Sequence, residues 1–354
     1  QDLIAHHPEM IGNLNGVDMA SRDQANRILL PQKISQAEAK VQALRATFKM
    51  NPSEYYRHDR VPKSKVAVNS ELEWEEKRLA DLKAIRSTLE ENEEDRQSDP
   101  SIPRRGLVYM DDSKKDDRVK VAISTGDVDR AKHVSTILPG MNNVPSEDIN
   151  DHVKNAELVH KHAADNAHIS QDQVATIAWM YDTPQGGQVV SSKYATKASH
   201  EIGSALEGMH AFRHTNGIER AHTSLLGHSY GSTTAGKVAK LVRKGVLDDL
   251  VMYGSPGAGA HDAREYNLDH GRPYVSGIKS DDAVKGKGTL NSKFGNNPMF
   301  MPGVKHLANN SERDRSFFIP WKMFDRHSEY LEKGTSSLED ISRVVTNVPV
   351  KGEK

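Results

Sequence analysis

The first chemical signal is Gly227-His228-Ser229-Tyr230-Gly231, a G-x-S-x-G pentapeptide. A serine hydroxyl is a weak nucleophile. It becomes an effective one when a histidine takes its proton, an acid orients that histidine and N–H groups receive the developing oxyanion. The flanks of the motif suit that use. Thr223, Ser224, Leu225 and Leu226 read as a short apolar strand, and Ala235, Val238, Ala239 and Val242 line one face of a following helix. Strand, tight turn and helix make a nucleophile elbow. Gly227 and Gly231 lack a Cβ, so strand and helix can close around a strained serine. The plainer reading, a serine N-cap between two turn glycines, is outweighed by this strand and helix.

With an elbow of this kind the acid and then the histidine follow the serine in the chain. Asp281 and Asp282 lie in a loop just past an expected strand, where an orienting acid belongs. Asp282 is favoured and Asp281 is the runner-up. The base is sought further on, at His306 in a Gly/Asn-rich loop or at His327 where an amphipathic segment begins. His327 is favoured. His228 abuts the nucleophile but should point away from it and pack beneath the elbow. The Tyr230 backbone N–H is one expected oxyanion donor. The second should come from the loop Pro139-Gly140-Met141-Asn142, through Met141 or Asn142.

The elements that must position these groups follow from periodicity. Beyond about residue 105, strands are expected near 107–110, 119–123, 134–138, 174–180, 223–226, 250–253 and 274–278. Helices are expected over 153–167 and 194–214, and after Ser229. Alternating strands and helices imply an α/β fold with a mostly parallel sheet covered on both faces. Sites in such sheets lie at the carboxyl ends of the strands, which would gather Ser229, Gly140 and Asp282 on one edge.

The first third has another character. Residues 1 to about 30 read as irregular, then helical, with Asp18 capping a helix near Met19 and Pro31 interrupting it. Ile34, Ala37, Val41, Leu44 and Phe48 continue as an amphipathic helix, ended at Asn51-Pro52. Residues 52–69 read as a polar loop. A second helix is expected over 70–94, opened by a Ser70/Glu73 capping box, with Leu72, Leu79, Leu82, Ile85 and Leu89 as its stripe. Residues 92–104 read as a linker. The two helices are expected to pair antiparallel and pack on the main domain, with a lid or a partner-docking surface as the functional alternative. The division is therefore 1–104, a helical extension, and 105–354, the catalytic domain.

These motifs together resemble an actinobacterial α/β-hydrolase family. The resemblance rests on Thr136-Ile137-Leu138-Pro139-Gly140-Met141, Ala175-Thr176-Ile177-Ala178-Trp179, the elbow continued through Ser232-Thr233, Gly254-Ser255-Pro256-Gly257 and His327-Ser328-Glu329-Tyr330. His7-Pro8-Glu9, Gly12-Asn13-Leu14-Asn15-Gly16 and Arg22-Asp23-Gln24-Ala25-Asn26-Arg27 are similar to that family's leader. The Gly254–Gly257 turn also looks like that of fungal-type lipases. The resemblance implies the α/β-hydrolase fold and serine hydrolysis of a carboxylic ester, lipid-like or otherwise acyl, without metal or organic cofactor. The family carries its acid in Asp-Pro-Val, and Asp282-Ala283-Val284 stands at the matching place. The same triad would serve an acyltransferase or amidase. A non-catalytic secreted binding or scaffold protein, with the N-terminal helices contacting a protein partner, is the reading from another class.

Composition narrows the field. A net charge of -1 over 354 residues does not favour nucleic acid. No apolar run approaches ~20 residues, so no transmembrane helix is expected. With no cysteine there is no disulfide, thiolate nucleophile or cysteine-ligated zinc. A soluble protein is expected, and its compartment stays open between cytoplasm and exterior. His210 and His214 are four apart on a helix, but the glutamate of a zinc helix is missing. His160 and His162 point differently. Residues 111–117, mixed in charge, read as an exposed turn, and residues 182–187 as a loop that lines the substrate mouth or simply connects.

Overall fold

The computed structural model describes residues 2–49, 63–269, 271–277, 291–308 and 330–351. Two short helices, α1 (Asp2–His6) and α2 (Pro8–Ile11), lead into the long α3 (Met19–Lys49) and α4 (Lys63–Ser98). There follow β1 (Arg105–Asp111), β2 (Lys120–Thr125), β3 (His133–Leu138), α5 (Pro145–Ala167), β4 (Val174–Met180), α6 (Lys193–Thr215) and β5 (His222–His228). The chain continues through α7 (Tyr230–Leu241), β6 (Asp249–Tyr253), β7 (Pro273–Ser276), α8 (Asn291–Phe294), β8 (Lys305–His306) and α9 (Ser336–Val345).

The strands form one sheet in the order β1-β2-β4-β3-β5-β6-β7-β8. β1 and β2 pair antiparallel, as do β2 and β4; every other pair is parallel. The central strands are buried on both faces, which is why they read as apolar runs. Side chains alternate between two apolar layers. Ile177, Leu225 and Met252 join α6 and α7 on one face, and Ala178, Leu226 and Val251 join α5, α9 and the long helices on the other. The α/β expectation holds. The strand β8, two residues long, was not foreseen.

The N-terminal third departs from its sequence reading in several places. The leader forms two short helices. Asp18 caps α3 as expected, accepting the Ser21 N–H at 2.7 Å. Pro31, however, does not interrupt the helix; α3 runs through it. Pro31 sits on the wet face, while Leu30, Ile34 and Ala37 are buried in the layer under β1. That burial exceeds the ~3 kcal/mol of an interior proline. Nor does Ser70 open a helix. No Gly or Pro lies between Lys63 and Ser98, so the helix begins earlier and ends later than expected, absorbing the capping box and part of the linker. Ion pairs Glu38–Lys83, Lys40–Glu71 and Arg45–Glu76 set α3 antiparallel to α4.

Buried polar locks tie this hairpin to the sheet. Arg105 donates to Glu157 at 2.6 and 2.9 Å and to the Thr88 carbonyl. Asn26 donates to the Leu107 carbonyl, and Asp81 accepts from Arg118, Val119 and Ser146. In residues 111–117, expected as an exposed turn, Lys114, Lys115 and Asp117 are exposed and 114–115 turn, but Asp111, Asp112 and Asp116 form a hub. Asp112 holds Lys33 and Arg78, Trp74 donates to the Asp116 carbonyl, and Lys120 is buried among Asp111, Asp116 and Glu201. Mixed charge at this place is cross-linking rather than solvated.

Candidate active site

β5 delivers His228 to the carboxyl edge of the sheet, and α7 starts at Tyr230. The residue between them, Ser229, has φ 51° and ψ −125°. A non-glycine residue there is strained, and it persists because the surroundings over-determine it. Ser229 N–H donates to the Tyr253 carbonyl at 2.9 Å, continuing the β5–β6 ladder. Ser232 Oγ donates to the Ser229 carbonyl at 2.6 Å and lies 2.6 Å from Ser255 Oγ. Thr233 Oγ1 donates to the Gly257 carbonyl at 2.7 Å. The Gly254–Gly257 turn is thereby pinned to the first turn of α7. The glycines serve close approach: a Cβ on Gly227 would lie 2.5 Å from the Gly231 carbonyl, and one on Gly231 2.7 Å from that of Leu138.

The loop after β3 stands directly against the serine. Leu138 pairs with Gly227, which brings the next residues beside the elbow. A Cβ on Gly140 would stand 2.9 Å from Ser229 Cβ and 3.4 Å from its Oγ. Tyr181 OH donates to the Pro139 carbonyl at 3.2 Å and accepts from Thr234 Oγ1. Asn143 Nδ2 donates to the Met141 carbonyl at 2.9 Å. Asn142, one of the two expected oxyanion donors in this loop, is otherwise engaged. Its N–H donates to the Pro184 carbonyl at 3.0 Å, and its Oδ1 accepts from Gly186 N–H at 2.8 Å. That engagement corrects the expectation for Asn142 and leaves Met141. Tyr230, as the first residue of α7, presents an N–H without an intrahelical partner. Its buried phenol donates to the Ser191 carbonyl at 2.6 Å, and burial pushes its pKa up to about 12.

Asp281, Asp282 and His327 lie outside the described residues. The strands that lead to them are described. His228 pairs with Tyr253 and Tyr253 with Ser276, so β7 ends on the elbow's edge of the sheet. His306 is not in a loop; it is on β8, paired with Val275. Three strand spacings separate β8 from β5, about 14 Å at ~4.8 Å each. His228 stacks on Tyr253 with ring centroids 5.2 Å apart, and its centroid is 6.0 Å from that of Tyr330. It packs beside the elbow, and its Nδ1 lies 3.6 Å from the place a Cβ on Gly140 would take.

The residues 182–187 adjoin the loop after β3. Besides the two bonds to Asn142, Thr183 Oγ1 donates to the Asn143 carbonyl at 2.7 Å. The sequence reading missed Tyr181, Asn143, Ser232 and Ser255 as supports. Their only sequence signal is position, just after β3 or β4 or within the elbow and its neighbouring turn. Among the described residues no group of three metal-ligating side chains is assembled, and no helix is long and apolar enough to cross a membrane.

A mostly parallel sheet, helices on both faces and a strained serine at the end of its central strand define the architecture. Residues 114–292 match the alpha/beta hydrolase family, and the chain belongs to that family. Its relatives are mycobacterial, in keeping with the actinobacterial resemblance. An uncharacterized protein of Mycobacterium tuberculosis is 30% identical over 241 residues, covering 66% of this chain and 84% of its own. A second is 29% identical over 304 residues, 82% of this chain and 42% of its own. Similar folds include dienelactone hydrolase from Anabaena variabilis, with 11% identity, 69% of this chain and 96% of that one, and TM-score 0.39. S-formylglutathione hydrolase from Agrobacterium tumefaciens has 15% identity, 65% and 96% coverage, and TM-score 0.37. Family membership supports a hydrolase.

Proposed function

We propose that the protein is a serine hydrolase that cleaves carboxylic esters of an acyl or lipid-like kind. Ser229 attacks the acyl carbon, His327 takes its proton and returns it to the leaving alcohol, and Asp282 orients His327. The Tyr230 and Met141 N–H groups hold the oxyanion, and water then resolves the acyl-enzyme. Residues 105–354 carry this chemistry and residues 1–104 extend it. The observation that carries the reading is Ser229 itself, strained at φ 51° between a strand and a helix N-terminus, with Gly140 packed against it.

Two further observations support the reading. The chain order is one, because Ser229 follows β5, Asp282 comes after β7 and His327 after β8 in the sequence, the order such a triad needs. Tyr330 packs against His228 and Tyr253, so the described chain just beyond His327 returns to the elbow. The test is Ser229→Ala. It should fold as the parent does, fail to label with a fluorophosphonate and lose turnover of short nitrophenyl esters. Parental turnover by this variant would end the assignment.

A further inference from the structure

Asp182 stands just past β4, on the same sheet edge as Ser229, and the mechanism above does not use it. The residue is 8% exposed, and Oδ1 has no hydrogen-bond partner among the described residues. A buried carboxylate in that condition is costly when charged. Its neighbours add to that cost. Asp116 and Asp117, on the β1–β2 connection, face it with like charge. Lys197 on α6 and the Asp117 main-chain N–H act the other way, but Lys197 is already paired with Asp116. The fourth titratable neighbour, Tyr194 on α6, has its pKa raised by burial first and by Asp117 and Asp182 next, so it stays neutral. Burial, reinforced by the two aspartates, pushes the Asp182 pKa up to about 7.

The residues that follow Asp182 hold the oxyanion loop. Thr183 bonds Asn143, Pro184 accepts from Asn142, and Gly186 donates to Asn142. Residues 183–186 and 142–143 are therefore cross-tied, and Asp182 immediately precedes the first of them, two residues past the end of β4. We propose that Asp182 is a positioning residue that works in its neutral form, holding residues 183–186 against the oxyanion loop, and that its ionisation loosens that loop and lowers turnover. This inference rests on the Ser229 reading.

The sign follows from linkage. The folded site binds the proton more tightly than the unfolded chain does. Its stabilising effect is therefore present in acid and is lost as pH rises through the folded pKa. A histidine base acts in the opposite direction, losing activity as pH falls. The alkaline limb thus belongs to Asp182 and the acid limb to the base.

The experiment measures kcat and KM for a short nitrophenyl ester from about pH 5.5 to 9, and fluorophosphonate labelling rates over the same range. It compares the parent with Asp182→Asn, Asp117→Asn, Lys197→Gln and Ser229→Ala. The parent's kcat and labelling rate should fall about tenfold above a midpoint near neutrality, with KM nearly constant. Asp182→Asn should remove that fall and leave the acid limb in place. Asp117→Asn, which removes a negative neighbour, should move the midpoint down, and Lys197→Gln should move it up. An unchanged alkaline fall in Asp182→Asn overturns the inference. Should that variant not fold, unmoved or reversed midpoints in the other two, both exposed at the substituted side chain, overturn it equally. Turnover by Ser229→Ala would instead fail the Ser229 reading. A silent Ser229→Ala with an unmoved alkaline limb would fail only the role of Asp182.

Discussion

Gly140→Ala tests the packing of the loop after β3 on Ser229, the proposed nucleophile. The added methyl would stand 2.9 Å from Ser229 Cβ, where carbon atoms at rest keep about 3.5–4.0 Å. The gap must open by about 0.6–1 Å, and neither side yields freely. Ser229 is fixed by its ladder bond to Tyr253 and by Ser232, and the loop is tied by Tyr181, Asn143 and Pro184. A displacement of about 1 Å between reacting groups costs on the order of 100-fold in rate. Overpacking of this size costs about 1–3 kcal/mol of stability, a lowering of Tm by several degrees. The expected result is a kcat reduced about 10- to 100-fold, with KM changed much less. Steady-state kinetics and thermal melts of the parent and variant measure both. Gly187→Ala is the control from the neighbouring loop, because a Cβ there meets nothing within 4 Å. Parental kcat and Tm in Gly140→Ala would refute the reasoning.

Three more outcomes are expected. His327→Ala should lose far more esterase activity than His306→Ala, since β8 holds His306 three strands from the elbow; the opposite ranking would move the base to His306. Asn142 sits at φ 61°, and its side chain accepts from Gly186. Asn142→Ala should therefore cost about 1–2 kcal/mol in denaturant melts and lower kcat more than it raises KM, while Asn142→Gly should recover the backbone part. His222 lies 2.8 Å from Asp249 and near Asp248 and the Val344 carbonyl. Burial alone would lower its pKa, but the two aspartates outweigh burial and raise it; its neighbour His133 has its pKa lowered by burial and by the charge on His222. The stabilisation from His222 is then full below the ordinary histidine value and lost as pH rises through the raised one. His222→Gln should flatten that part of the stability–pH curve; an unaltered curve would contradict the pairing.

Periodicity and motif spacing made much of this molecule legible. Val174 to Met180 could only be a strand buried on both faces, and Gly227 to Gly231, between an apolar strand and a helix, could only be a tight turn there. Both signals are local, because they depend on side-chain period and on which residues lack a Cβ. The errors at Pro31 and at Asp111, Asp112 and Asp116 came where distant packing overruled local preference, and that at Ser70 where the helix ran on unbroken. Pro31 reads as a break until Leu30 and Ile34 are seen packed under β1. Ser70 reads as a cap until nothing upstream is found to stop the helix. Asp111, Asp112 and Asp116 read as surface until Lys120, Arg78 and Trp74 converge on them.

The sequence by itself determined the fold class and the serine at the bend between strand and helix, since each is written in neighbouring residues. Only the tertiary structure decided which N–H of the loop after β3 is already taken, that Gly140 packs against Ser229, and that Asp182 is buried beside other carboxylates. Those facts depend on which strands lie side by side. Residues 140, 184 and 229 are far apart in the chain and meet because β3 lies between β4 and β5.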